Sequence, residues 1–401
     1  MTSPTRLLFV DDEPRILDGL RRMLRDHRET WDMVFVSGGD AALAALDDQP
    51  FDVVVSDMKM PGMSGVELLD QVRQRSPRTI RLVLSGHSDR EATVRAAGPA
   101  HQYLAKPCEP QVLRKAIRRA LALRRLLASD QLMATISRIE HLPALPHLYR
   151  KLVAELGNPK ASMAEVARII GEDVAMAAEV LKLSNSAFFG PANDVSSIER
   201  AVQLLGFETV TMLVLRAGAF KSFVGTPVPA TLLVAIGDHS IRSTRAARII
   251  ARMEGVDRTV ADDAVTAALL HEVGILVLAA NLPEYRSVLD QQEREGGPIG
   301  RHERGLLGTT HAEVGAYLLG LWGLPDGLVE AVAHHENPAA VEDADGVDAV
   351  SIVAAAGALA HLYGPGPFEP EPAVRFEIAA RERWPDWEAA CQSELTLGAT
   401  R

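Results

Sequence analysis

Five short apolar runs fall within the first 105 residues, and stretches of helical period separate them. Leu7-Leu8-Phe9-Val10 ends in Asp11-Asp12, Val53-Val54-Val55-Ser56 in Asp57, Ile80-Arg81-Leu82-Val83-Leu84 in Ser85, and Gln102-Tyr103-Leu104-Ala105 in Lys106-Pro107. The fifth, Met33-Val34-Phe35-Val36, follows Ile16, Leu17, Leu20 and Leu24 at helical spacing. Strands alternating with helices imply parallel β-α-β units, and near-continuous apolar strands imply a sheet covered on both faces. Asp11, Asp12, Asp57, Ser85 and Lys106 then share the C-terminal edge, where open α/β sheets bind ligands.

That polar set has a chemistry. Clustered carboxylates repel unless a hard cation joins them, and Mg²⁺ accepts a few carboxylates while keeping several waters. An Asp can attack a phosphoryl donor and form an acyl phosphate. Lys106 and the Ser85 hydroxyl are then placed to stabilise the equatorial oxygens.

Over residues 5 to 125 the sequence resembles the receiver domains of two-component response regulators. The pieces that carry the resemblance are Val10-Asp11-Asp12-Glu13, Ser56-Asp57-Met58-Lys59-Met60-Pro61-Gly62, Leu84-Ser85-Gly86 and Tyr103-Leu104-Ala105-Lys106-Pro107. The resemblance implies a flavodoxin-like, doubly wound, five-stranded parallel sheet, with Asp57 as phosphoacceptor for a sensor histidine kinase. It implies Mg²⁺ held by Asp11, Asp12, Asp57 and the Lys59 carbonyl. It also implies a switch formed by Ser85 and Tyr103, a cis Lys106-Pro107 bond, and tuning of phosphoryl lifetime at Lys59 and His87.

After Pro110 no Pro or Gly interrupts the chain until beyond Ser137, so one helix is expected there. Leu113, Ala116, Ala120, Leu123 and Leu127 form a seam of about two heptads. Arg114, Lys115, Arg118, Arg119, Arg124 and Arg125 lie opposite. A solvated face is one reading; a helix forming a homodimer or binding an acidic partner is the other.

From Leu142 onward the period is helical, and Ser162–Glu165 and Ser196–Glu199 read as capping boxes. This half resembles the HDOD domain, an all-α relative of the HD hydrolases, through Leu142-Pro143-Ala144-Leu145-Pro146, Ile169-Ile170-Gly171-Glu172-Asp173, Leu183-Ser184-Asn185-Ser186 and Ser197–Gly206. HD hydrolases hold Fe, Mn or Zn on His and Asp; by this resemblance His239 matches the first His, His271 and Glu272 match the His-Asp pair, and His311, His334 and His335 match extra ligands of the cyclic-di-GMP phosphodiesterase branch, HD-GYP. Three departures count against catalysis. Glu272 replaces Asp, Gly357 stands where the last Asp is expected, and no Gly-Tyr-Pro loop follows His334-His335-Glu336. Asp348, nine residues before Gly357, falls about 180° round a helix from it.

The expected organisation is a receiver over 1–124, a linker helix over 125–140, an HDOD domain over 141–340, and C-terminal helices with a Pro-rich tail over 341–401. The expected function is a response regulator whose helical output half acts on a protein partner without catalysis and without a second metal. The alternative is a phosphorylation-gated, metal-dependent phosphodiesterase acting on a cyclic nucleotide or dinucleotide. A net charge of −11 and the lack of a helix-turn-helix pattern argue against nucleic acid as partner. Two cysteines and no apolar run of about 20 residues point to a cytoplasmic protein away from membranes.

Overall fold

The computed structural model describes residues 5–85, 100–123, 127, 129–137, 139, 142, 146–158, 161–186, 194–215, 228–341, 347–364 and 378–397. His87, Arg124, Arg125 and the Pro-rich stretch after Gly364 lie outside these. Strands β1 (Thr5–Val10), β2 (Trp31–Val36), β3 (Val53–Asp57), β4 (Ile80–Ser85) and β5 (Gln102–Ala105) pair in parallel in the order β2-β1-β3-β4-β5. Asp57 pairs with Leu84 and Ser85 with Ala105, so the polar strand ends meet at one edge.

Alternation along the strands makes two cores. Leu7, Phe9, Val53, Val55, Leu82 and Leu84 pack with α1 (Pro14–Met23) and α4 (Pro110–Leu123). Leu8, Val10, Val54 and Val83 pack with α2 (Gly39–Asp48) and α3 (Gly65–Arg75). Helix α3 opens with a capping box: Glu67 N donates to Ser64 Oγ at 3.3 Å and Ser64 N donates to Glu67 Oε2 at 2.9 Å. Gly65 is required beside it, because a Cβ there would lie 1.8 Å from the Asp57 carbonyl oxygen.

The linker departs from expectation. Helix α4 ends at Leu123, and α5 (Asp130–Ile136) starts anew with Ser129 as its cap, accepting from Leu132 N at 3.3 Å. Leu127 lies between them, non-helical yet buried. The seam residues Leu113, Ala116, Ala120, Leu123 and Leu127 are all buried in the core that the sheet shares with the helical half. They are therefore not available as a dimer seam, and the homodimer reading loses its surface.

The helical half comprises α6 (Pro146–Leu156), α7 (Met163–Ile170), α8 (Val174–Ser184), α9 (Ile198–Leu215), α10 (Ala230–Glu254), α11 (Arg258–Leu270), α12 (Val273–Asn281), α13 (Tyr285–Glu295), α14 (Ile299–Leu307), α15 (His311–Leu321), α16 (Asp326–His334), α17 (Ala349–Leu362) and α18 (Ile378–Leu397). Helix α17 packs on α10, α11 and α16, so the helical body continues past residue 340. Helix α18 folds back on α10, with Trp387 fully buried and its Nε1 donating to Glu254 Oε1 at 2.9 Å. Neither expected capping box forms as read. Ser162 accepts from Glu165 N, but the Glu165 carboxylate pairs with Arg168. At the second, the cap is Ser197, one residue later, accepting from Arg200 N at 3.3 Å. Among the described residues, the one stretch long and apolar enough to cross a membrane is Arg258–Asn281, and 89% of its most apolar window is buried within this body.

The two halves meet along β5, α4 and α5. Leu123 packs against Gly320 of α15, where a Cβ would lie 2.6 Å from its Cδ2. Gln102 Nε2 donates to Gly320 O at 3.1 Å, and Arg119 Nε pairs with Asp326 Oδ1 at 2.9 Å. Arg81, 1% exposed on β4, donates from its guanidinium to Thr79 O at 3.2 Å and to Ser137 O at 2.5 Å. Burial lowers the Arg81 pKa to about 9, which leaves it charged at neutral pH. The Ser137 hydroxyl lies 3.4 Å from Tyr317 Oη of α15, so a hydrogen-bonded path runs from β4 into the helical body.

Candidate functional sites

At the sheet edge the backbone turns after β1 and β3 hold two acids in place. Glu13 N donates to Asp11 Oδ1 and Lys59 N to Asp57 Oδ2, each at 2.9 Å. Lys106, past the end of β5, reaches between them. Its Nζ lies 2.7 Å from Asp11 Oδ2 and also pairs with Asp57 Oδ1. Asp11 and Asp57 are buried, while Asp12 is half-buried beside them. Burial opposes the Lys106 charge, but bonds to the two carboxylates outweigh it and raise its pKa. Ser85 is buried one strand over, and the Lys106–Pro107 bond is cis. Tyr103 is also buried, packed in the core under α2 and α3, with no hydrogen-bond partner for its hydroxyl.

The second site lies in the helical body where helices end. His239 comes from α10, His271 and Glu272 from the turn between α11 and α12, His311 from the first residue of α15, and His335 from the residue after α16. All five are buried. Gly274 allows this assembly, since a Cβ there would lie 1.9 Å from His311 O. His239 Nε2 is 3.1 Å from His271 Nε2, and His311 Nε2 is 3.4 Å from His335 Nε2. Glu272 reaches both pairs, with Oε1 3.6 Å from His271 Nε2 and Oε2 3.2 Å from His311 Nε2. Two sets of ligating atoms result, His239–His271–Glu272 and Glu272–His311–His335.

Outer contacts orient three of these rings. His271 Nδ1 donates to Ala268 O, His335 Nδ1 to Val332 O and His311 Nδ1 to Glu303 Oε2, each at 2.8 Å. Fixing the proton on Nδ1 turns each Nε2 inward, which is how proteins orient metal-binding imidazoles. Burial keeps His239 and His271 neutral and pushes His335 down to about 3. His311 runs the other way: burial opposes its charge, but Glu303, Glu336 and Glu272 raise its pKa well above the ordinary value.

His334 does not join the set; its neighbour His335 takes the inward position. Gly357 faces the cluster, since a Cβ on it would lie 3.8 Å from His271 Nε2, so the expected acid position is present without its side chain. Asp348 instead caps α17 by accepting from Ser351 N at 2.7 Å. The sequence reading missed Glu303, fully buried and also accepting from Tyr285 Oη at 2.5 Å and His311 N at 2.7 Å. It also missed His361, whose ring centroid is 4.3 Å from that of His239. His361 stands one turn past Gly357, a spacing that could have drawn attention to it.

A parallel sheet with an acid–lysine edge, joined to a helical body with an HD-like histidine cluster, defines a response regulator with a helical output half. The response regulator receiver domain matches residues 7–118 and the HDOD domain matches residues 142–338. The chain is thus a receiver–HDOD response regulator. It is 41% identical over 117 residues to the hydrogenase transcriptional regulatory protein HoxA of Cupriavidus necator, covering 29% of this chain and 24% of that protein. It is 28% identical over 211 residues to an uncharacterized protein of Treponema pallidum, covering 52% of this chain and 40% of that one. The chain therefore spans about a quarter to two fifths of the length of these curated relatives. Among solved structures, the MmoQ response regulator of Methylococcus capsulatus is 20% identical, covering 64% of this chain and 98% of that one, with a TM-score of 0.49.

Proposed function

We propose that the protein is a phosphorylation-controlled switch in which Asp57 accepts a phosphoryl group from a sensor histidine kinase and alters how the HDOD half docks on the receiver. The observation that carries this reading is the Lys106 ammonium held between Asp11 and Asp57 at the sheet edge. An Asp57 carboxylate oxygen forms the new bond to phosphorus as the phosphohistidine N–P bond breaks. Lys106 then shifts from pairing two carboxylates to neutralising the phosphoryl oxygens, and Ser85 donates to them. Asp11, Asp12, Asp57 and the Lys59 carbonyl are the groups to hold Mg²⁺, which when bound supplies further charge neutralisation. Output on this reading is through contact with a protein partner in the cytoplasm, and what supports a signal reaching the HDOD half is the Arg81–Ser137 bond and the burial of α4 in the shared core. The test is Asp57→Asn with a labelled small phosphodonor and Mg²⁺. No label is expected on the variant, and wild-type labelling would overturn the assignment.

A second reading concerns the HDOD half. Three oriented imidazoles and a Glu272 bridge favour a bound first-row metal, while the bare Gly357 position argues against hydrolysis. The full chain, purified without chelators or a metal-binding tag, is expected to carry about one or two equivalents of Fe, Mn or Zn. His271→Ala should lose them. Metal-free wild type would leave the cluster as a hydrogen-bonded core.

A further inference from the structure

The histidine cluster falls into two halves that share Glu272, and the two are not equally built. In one half, His239 Nδ1 is buried with no hydrogen-bond partner among the described residues, so no outer bond sets that ring. The same half lacks an acid where Gly357 faces His271. In the other half both rings are set, His311 Nδ1 by Glu303 Oε2 and His335 Nδ1 by Val332 O, each at 2.8 Å. Here Glu272 Oε2 is buried 3.2 Å from His311 Nε2 and makes no hydrogen bond among the described residues. A carboxylate oxygen buried without a bond is costly, and a cation shared with the two Nε2 atoms satisfies it.

Helix α14 shapes this second half from behind. Gly300 and Glu303 stand one turn apart on it, on the same face. Glu303 is fully buried and both its oxygens are committed, Oε2 to His311 N and Nδ1, and Oε1 to Tyr285 Oη at 2.5 Å. Gly300 makes room for the Glu336 carboxylate, since a Cβ there would lie 2.5 Å from Glu336 Oε2. Glu336 Oε1 lies 3.8 Å from His311 Nε2, which brings a second acid to the side where Glu272 already sits. A carboxylate bonded behind a metal-binding imidazole fixes its tautomer and raises its basicity.

We propose that a single divalent first-row metal binds to Glu272, His311 and His335, and that Glu303 is the positioning residue that makes this half the tight one. The inference rests on the metal reading of the cluster and adds to it the place, the stoichiometry and the residue behind the site. Two imidazoles with one carboxylate are a donor set of mononuclear Fe(II) centres and also suit Zn and Mn. His271 supports both halves, because its ring meets that of His335 edge-on at 4.9 Å and its Nε2 lies 3.6 Å from Glu272 Oε1. His239 belongs to the weaker half alone, so it separates the two.

The probe is Co²⁺, whose visible absorption reports its ligands, titrated into the metal-stripped full chain. About one tight equivalent is expected in wild type and in His239→Ala, and no tight binding in His335→Ala. Glu303→Gln keeps the side-chain shape without the charge, and should bind Co²⁺ about 10–100-fold more weakly with a shifted absorption band. Should it fail to fold, Glu303→Asp takes its place with the same expectation, since it keeps the charge but withdraws the oxygens from His311. Co²⁺ bound by wild type but lost as fully in His239→Ala as in His335→Ala would overturn this inference and leave the metal reading standing. Wild-type affinity and spectrum in the Glu303 variant would also overturn it. Folded wild type that binds neither Co²⁺ nor Zn²⁺ would overturn both the inference and the metal reading.

Discussion

At the scale of single residues, His101 is held neutral because burial and the Arg81 guanidinium both oppose a second proton, keeping its pKa well below the ordinary value. Its Nδ1 accepts from Arg81 N at 3.1 Å, so Nε2 donates to Ser137 O at 3.2 Å across the junction. The unfolded chain takes up a proton here as pH falls through about 6.5, and the fold does not. Stability from this group is therefore full above that pH and is lost below it. The urea midpoint of wild type should fall between about pH 7 and pH 5.5, and less so in His101→Gln, which keeps both hydrogen bonds without titrating. An equal fall in both proteins would mean that His101 contributes nothing. Residues like this one were not legible in the sequence, because nothing links Arg81 and His101 to Ser137 until the fold brings them together. The acids at the edge were legible, since each follows an apolar run directly. His334 and His335 could not be told apart, because neighbours on a helix point about 100° from each other and only packing selects the inward one.

At the scale of elements, the strands were readable because two faces need covering and the apolar positions say so. The helix expected from Pro110 to about Ser137 is instead two, Pro110–Leu123 and Asp130–Ile136. No Pro or Gly marks the break, yet Leu127 and Ser129 are not helical, and Leu123 and Leu127 are both buried in the core shared with the helical half. Glu303 escaped because it sits on a different helix from His311, and no periodicity links them. The α4–α15 contact is the element most open to test. Gly320→Leu places a side chain where Leu123 already lies and should cost about 1–3 kcal/mol of docking. It touches neither Asp57 nor the histidine cluster, so phosphodonor labelling should persist while protease sensitivity between the halves rises. Unchanged protection would show that α4 does not dock there.

At the scale of the whole molecule, the receiver and HDOD halves share one hydrophobic core across α4 and α5, tied by the Arg81–Ser137 and Arg119–Asp326 contacts. Arg81, on the strand that ends in Ser85, therefore has a packed, hydrogen-bonded route through Ser137 and Tyr317 into α15, whose first residue is His311. The measurement that tests this most directly is hydrogen exchange on the full chain, with and without a phosphodonor and Mg²⁺, and with Asp57→Asn as control. Exchange should change in Pro110–Leu123 and His311–Leu321 of the phosphorylated wild type and stay constant in the variant. Identical exchange in phosphorylated and unphosphorylated wild type would contradict the coupling of Asp57 to the HDOD half.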